Sequence, residues 1–214
     1  MNNDNRNYDY SNILPNERPE YRKITSLLEA GSKVLDLGCG NGLLIEAMQR
    51  EKQCRCQGME LSETGVNICQ QKGLQVTRGR IDETLPYGDD EFDTAVCNVT
   101  IQMVMYPEKL LAEMKRVSRR QIVSFPNFAY FTNRLDMLVN GRMPTRMLFG
   151  YTWYNTGHIH QLSLRDFDDL LRQVGGVQIK RKLYVSAGFK VLDALGGLFP
   201  GWFRKTVILE MAKE

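Results

Sequence analysis

Val34-Leu35-Asp36-Leu37-Gly38-Cys39-Gly40-Asn41-Gly42 is an apolar run that closes in three closely spaced glycines, and a helical pattern follows from Leu43. A second apolar segment then ends in Gly58-Met59-Glu60. A strand that turns at once into a helix needs residues tolerant of positive φ and a main chain open to a ligand. Glycine, lacking a Cβ, supplies both. Two such strands side by side bring the bend and the carboxylate into one crevice at their carboxyl ends, where open α/β sheets bind nucleosides.

The glycine spacing discriminates between nucleosides. In the dinucleotide fingerprint the third glycine stands three positions after the second, and the helix N-terminus faces a pyrophosphate. That position is Leu43 here; the third glycine comes one step early, at Gly42. No G-x-x-x-x-G-K-[ST] phosphate loop occurs either. The pattern therefore points to a nucleoside without phosphate, S-adenosylmethionine, rather than to a dinucleotide. Glu60 suits the ribose, because one carboxylate accepts from both hydroxyls, each charged bond contributing roughly 1.5–3 kcal/mol.

The rest of the chain repeats the alternation. Strands are expected at 33–37, 55–60, 74–78, 92–97 and 120–125, with helical patterns at 43–51, 63–72 and 107–117 between them. A helix over 21–30 precedes them and stops at Gly31. Strand–helix alternation with short links implies a parallel sheet with right-handed crossovers. Gly79-Arg80-Ile81-Asp82 stands where the third strand ends, and Glu91 to Asn98 reads as the fourth. After Phe125 the regularity lapses: residues 128–162 show a helical piece near 130–139 and no clear strand. It resumes at Ser163, which caps a helix with Leu164, Phe167, Leu170, Leu171 and Val174 on one stripe, ended by Gly175-Gly176. Strands at 177–185 and 206–212 complete the pattern. The expected organisation is a flexible arm over 1–20 and one domain over 21–214, with a cap inserted at 128–162.

Composition excludes some functions. The 214 residues carry a net charge of only +3, with Lys and Arg scattered among acids, so nothing argues for nucleic acid. Arg116, Arg119 and Arg120, and Lys180-Arg181-Lys182, read as solvated faces. Five cysteines (Cys39, Cys54, Cys56, Cys69, Cys97) suit the reduced thiols of a cytoplasmic protein, and Cys54-x-Cys56 lacks zinc spacing. No apolar run approaches the ~18 residues of a membrane span. Met1 to Asn16 is polar and Asn-rich, an arm or lid rather than a targeting sequence.

Taken together, these motifs resemble the class I S-adenosylmethionine-dependent methyltransferases across nearly the whole chain. More narrowly, the chain resembles the MetW family of methionine biosynthesis. The resemblance lies in Val34 to Gly42, Ile122-Val123-Ser124-Phe125-Pro126-Asn127-Phe128, Gly141-Arg142-Met143-Pro144, and Trp153-Tyr154-Asn155-Thr156 running to Ile159-His160. It departs at Asn41, where the family commonly has Asp, and at Asn155 and Gly157-His158, where a Tyr-Asp-Thr-Pro-Asn-Ile-His run is usual. The resemblance implies an α/β, Rossmann-like seven-stranded methyltransferase fold in the order 3-2-1-4-5-7-6 with the last strand antiparallel. It also implies a cytoplasmic partnership with homoserine O-acyltransferase.

The resemblance further implies a site. Asp36 lies near the methionyl ammonium, with Gly38, Cys39 and Gly40 beneath the amino-acid portion. Glu60 takes the ribose hydroxyls, Leu61 packs beside the adenine, and the Ile81 backbone with Asp82 meets its edge. Asn98 and Val99 contact the cofactor from the side of the methyl group. For Leu61 and Val99, ordinary core packing is the competing reading. For Asp36 and Glu60 it is weaker, since a carboxylate at the end of a buried strand needs a partner.

Methyl transfer asks the protein chiefly to align a nucleophile behind an activated methyl and to exclude water; a base is needed only for a protonated acceptor. Tyr154, His158 and His160, in the cap, are the candidate catalytic side chains. His158-x-His160 has no evident third ligand, so no metal is expected. The aromatic residues Tyr130, Phe131, Phe149, Tyr151, Trp153 and Tyr154 either line an apolar acceptor site or seal the core. Phe199 to Phe203 either docks on a partner or packs on the sheet edge. Two functions are expected to compete: methylation of a small-molecule acceptor, and a non-catalytic, S-adenosylmethionine-responsive role beside the acyltransferase.

Overall fold

The computed structural model describes Tyr10, residues 18–144, Leu148, 152–154, 156–185 and 190–214, without the side chains of 190–193. The other residues of the expected arm, and Phe149, Tyr151 and Asn155 of the cap, lie outside the described residues.

Seven strands form one sheet: β1 (Lys33–Leu37), β2 (Arg55–Glu60), β3 (Val76–Arg78), β4 (Phe92–Asn98), β5 (Ser118–Pro126), β6 (Val177–Val185) and β7 (Thr206–Lys213). Their order is β3-β2-β1-β4-β5-β7-β6, with β7 antiparallel to both its neighbours and the other pairs parallel. Helices α1 (Pro19–Leu27), α2 (Leu43–Lys52), α3 (Glu63–Gln71), α4 (Pro107–Val117), α5 (Phe131–Asn140), α6 (Leu164–Val174), α7 (Lys190–Leu198) and α8 (Pro200–Phe203) complete it. None of these is long and apolar enough to cross a membrane.

The central strands are apolar on both sides because both faces are covered. Leu35, Leu37, Ala95, Cys97, Val123 and Phe125 point to a face packed by Leu110 and Met114 of α4 and Phe167 and Leu171 of α6. Val34, Val96, Ile122 and Ile208 point the other way, against Ile24 and Leu27 of α1 and Ile45 and Met48 of α2. The strand period of two sends Asp36 toward this second face, and its burial there follows.

Several expectations shift. The third strand loses Leu74, whose N–H instead donates to Cys69 O to close α3. No helix was expected between the last two strands; α7 and α8 occupy that connection, and Phe203 packs on Phe131 at 5.4 Å. Phe199 and Trp202 remain 56% and 47% exposed, so the 199–203 patch is divided between packing and solvent. The arginines read as solvated faces are partly clamps. Arg116 donates to Tyr87 O (2.7 Å) and Leu85 O (3.0 Å), and Arg120 donates to Leu27 O (2.8 Å) and pairs with Glu29 and the buried Glu210. Arg181 pairs with the same Glu210.

The cap on α6 is as expected and stronger. Ser163 Oγ accepts from Asp166 N–H at 3.3 Å while Asp166 Oδ2 accepts from Ser163 N–H at 2.8 Å, a reciprocal capping box. Ser163→Ala is expected to cost ~1 kcal/mol of stability. A thermal scan should show a melting temperature lower by about 2–4 °C, the size of change that such a loss causes in a domain of this length.

Candidate functional site

A cavity of about 200 Å³ opens where β1, β2 and β4 end. This is where the strand order reverses between β1 and β4, and helices leaving in opposite directions cannot close the gap. All ten residues expected around a cofactor line it: Asp36, Gly38, Cys39, Gly40, Glu60, Leu61, Ile81, Asp82, Asn98 and Val99.

Asp36 is the outlier among them. It is 1% exposed, and neither carboxylate oxygen has a hydrogen-bond partner among the described residues. Burial, and secondarily the charge of Glu60, pushes its pKa up to about 7. An ionised carboxylate in such a place needs a cation or donor to offset its desolvation.

Glu60, at the end of β2, is tied to the glycine bend. Its Oε2 accepts from Gly40 N–H at 2.7 Å and its Oε1 from Ser62 N–H at 2.8 Å. Burial raises its pKa, and the bonds from the Ser62, Gly40 and Leu61 backbone partly offset that. Each carboxylate oxygen has a second lone pair, so the diol of a ribose can still be accepted. At Gly38 (φ +79°) a Cβ would lie 2.5 Å from Thr100 Cγ2, which is why only glycine fits the bend.

Beyond β4 the backbone is strained. Val99 has φ +51°, in the left-handed region that a β-branched residue rarely enters, at a cost of roughly 1–3 kcal/mol. Four bonds hold it there. Its N–H donates to Ser124 O and Oγ, both at 3.0 Å; its carbonyl accepts from Gln102 Nε2 at 2.9 Å; and Thr100 Oγ1 donates to Asn98 O at 2.9 Å. Asn98 Oδ1 accepts from Ser124 Oγ. Asp82 also braces this segment: its Oδ2 accepts from Met105 N–H (2.7 Å) and Tyr106 N–H (3.2 Å) and pairs with Arg80.

The three cap candidates separate. His158 lines the cavity, 7% exposed, with Nδ1 2.7 Å from Thr156 Oγ1 and its ring 6.0 Å from that of Phe128. Burial lowers its pKa to about 4. His160 lies outside the lining; its backbone N–H donates to Gln102 O at 3.0 Å, and its Nε2 is buried without a hydrogen-bond partner among the described residues. Tyr154 is 67% exposed, paired with Trp153 at 5.5 Å on the surface. Tyr130 is buried while Trp153 is 71% exposed, so the aromatic residues of the cap share no single role.

Tyr10, Arg18, Tyr21, Thr100 and Met103 also line the cavity and were not singled out from the sequence. Tyr21 and Met103 carry only an apolar periodicity. Tyr10 and Arg18 lie in the polar N-terminal stretch, where no pattern marks one residue over another. The lining as a whole offers three buried carboxylates, Asp36, Glu60 and Asp82, with a glycine bend open to close approach and a neutral imidazole. It fits a nucleoside bearing a positive charge.

The fold and this crevice define a class I S-adenosylmethionine-dependent methyltransferase architecture. Among solved structures, the S-adenosylmethionine-dependent methyltransferase from Mesorhizobium loti superposes with a TM-score of 0.65 at 15% identity, over 94% of this chain and 100% of that one. The [4+2]-cyclase SpnF superposes at 0.64 and 18% identity, over 96% of this chain and 87% of its own. Within that architecture the family model described as "Methionine biosynthesis protein MetW" matches residues 18–210, and the chain belongs to this family. The bifunctional methionine biosynthesis protein MetXA/MetW of Rhodopirellula baltica is 36% identical over 164 residues, 72% of this chain. The chain spans 26% of that relative's length.

Proposed function

We propose that this chain binds S-adenosylmethionine in the cavity and passes its methyl group to a small acceptor held beside His158, within a cytoplasmic step of methionine biosynthesis. The observation that carries the reading is Asp36, a buried carboxylate at the floor of the crevice with both oxygens unpartnered among the described residues. An ammonium group answers that need, and the methionyl end of the cofactor has one.

In this reading Asp36 takes the ammonium, and Gly38, Cys39 and Gly40 lie beneath the amino-acid portion. Glu60 holds the ribose hydroxyls. Leu61, Ile81 and Asp82 surround the adenine, while Asn98 and Val99 face the methyl group. When bound, S-adenosylmethionine supplies a methyl carbon already activated by the adjoining sulfonium. The protein's part is alignment and exclusion of water. His158, its pKa lowered to about 4 by burial, is neutral at pH 7 and a weak base. Its role is to orient an acceptor that arrives unprotonated, by a hydrogen bond to the imidazole.

A second reading is favoured by the Rhodopirellula relative, which joins MetXA and MetW in one protein. In it the chain is a partner of homoserine O-acyltransferase whose occupancy by S-adenosylmethionine reports the pathway's product. The [4+2]-cyclase neighbour is a reminder that this architecture hosts more than one chemistry.

The test is an acceptor screen that measures S-adenosylhomocysteine release. Methyl transfer predicts acceptor-dependent product. His158→Gln should lower that turnover by about tenfold, the loss of one oriented hydrogen bond, with the dissociation constant for S-adenosylmethionine within about threefold. No product with any acceptor, together with a changed rate of a co-purifying acyltransferase, would establish the second reading instead.

A further inference from the structure

Tyr10 stands far from the other site residues in sequence but reaches the crevice. Its backbone N–H donates to Thr64 Oγ1, in the first turn of α3, at 3.0 Å, and its side chain lines the cavity. The ring is seated on two residues that have no side chain. A Cβ at Gly40 would stand 3.1 Å from Tyr10 Cε1 and 3.2 Å from its hydroxyl; a Cβ at Gly65 would stand 3.2 Å from Cδ2.

Gly65 is otherwise hard to account for. It is the third residue of α3, and glycine inside a helix costs about 0.8–1 kcal/mol relative to alanine. A methyl group there would press on Gly40 O at 2.8 Å and on Glu60 Cγ at 3.1 Å as well as on the ring. The glycine thus lets three pieces meet: the glycine bend, the carboxylate that ends β2, and an aromatic ring brought from the N-terminal stretch.

We infer that Tyr10 is a binding residue of this site, its ring forming an outer wall across the crevice between the glycine bend and Glu60 and retaining the nucleoside beneath it. The inference rests on the S-adenosylmethionine reading above. A wall that does not change the floor acts mainly on escape, so its signature is the dissociation rate rather than the association rate. The flat ring is the working part, and the Thr64 hydroxyl is its anchor.

The test follows release of tritiated S-adenosylmethionine from the full chain and from Tyr10→Ala, Tyr10→Phe and Thr64→Val, alongside the melting temperature of each empty protein. Tyr10→Ala is expected to release the ligand about tenfold faster with association within about twofold, as interface changes act chiefly on escape. Tyr10→Phe should stay close to the parent, Thr64→Val should fall between, and the melting temperatures should not move. A Tyr10→Ala rate equal to the parent's, or a Phe variant as fast as the Ala variant, overturns the inference. Should Tyr10→Ala fail to fold, an unchanged rate in Thr64→Val overturns it as well. A parent protein that retains no tritiated ligand removes the S-adenosylmethionine reading itself, which the other outcomes leave standing.

Discussion

Replacing Asp36 by Asn is expected to raise the stability of the empty protein at pH 8 while weakening S-adenosylmethionine binding by about 100-fold, the equivalent of roughly 3 kcal/mol for a lost charged hydrogen bond. Both effects come from one geometry: a buried carboxylate with no hydrogen-bond partner among the described residues. The folded-state pKa, about 7, is raised above the ordinary carboxyl value by burial and by Glu60. The native state therefore binds a proton that the unfolded chain has released. The stability that Asp36 contributes is full below the unfolded pKa and is lost as pH rises to about 7, on the order of a few kcal/mol in all. Above that window the empty protein carries the whole desolvation cost, and an uncharged amide removes it. Calorimetric unfolding at pH 5 and pH 8 checks this: the variant's advantage over the parent should be clearly larger at pH 8 than at pH 5. A variant less stable than the parent at pH 8 would mean that the carboxylate has a partner in the empty protein. The same proton competes with the ligand, so binding to the parent should weaken about fivefold from pH 7 to pH 6 and release protons in that range.

Glu60→Ala is expected to weaken S-adenosylmethionine binding by about 10–100-fold, from the loss of one or two charged hydrogen bonds to the ribose. The structure adds a second consequence. Gly40 N–H and Ser62 N–H, which donate to Glu60 at 2.7 and 2.8 Å, lose their acceptor, and unsatisfied buried donors cost about 1–3 kcal/mol each. The melting temperature should fall together with the affinity, whereas Asp36→Asn moves the two in opposite directions at pH 8. Titration calorimetry on both variants distinguishes the cases. An unchanged dissociation constant in Glu60→Ala removes this residue from the site.

The architecture was legible because strand burial is written in the order of residues. Val34 to Leu37, Arg55 to Glu60, Phe92 to Asn98 and Gln121 to Phe125 carry it in their own composition, and Gly73 and Gly175 mark helix ends with positive φ, whereas α1 ends at Leu27, ahead of Gly31. Leu74 misled because a helix terminus claimed its N–H, and α7 escaped notice beside the Gly- and Pro-rich stretch that follows it. Within the site, the glycine bend and Glu60 could be found in sequence since each ends a strand. Tyr10, Arg18 and Thr100 could not, because they enter the crevice from segments with no periodicity of their own.

Local sequence by itself determined the strand–helix alternation, the early third glycine at Gly42 and the acid closing β2, since these follow from backbone sterics and hydrophobic period. Only the tertiary structure decided that Asp36 is buried with no hydrogen-bond partner among the described residues, that Val99 is held at positive φ, and that His158 reaches the cavity while Tyr154 faces solvent. Each of these depends on groups brought together from distant parts of the chain. Burial, strain and access are properties of that assembly, and no single segment carries them.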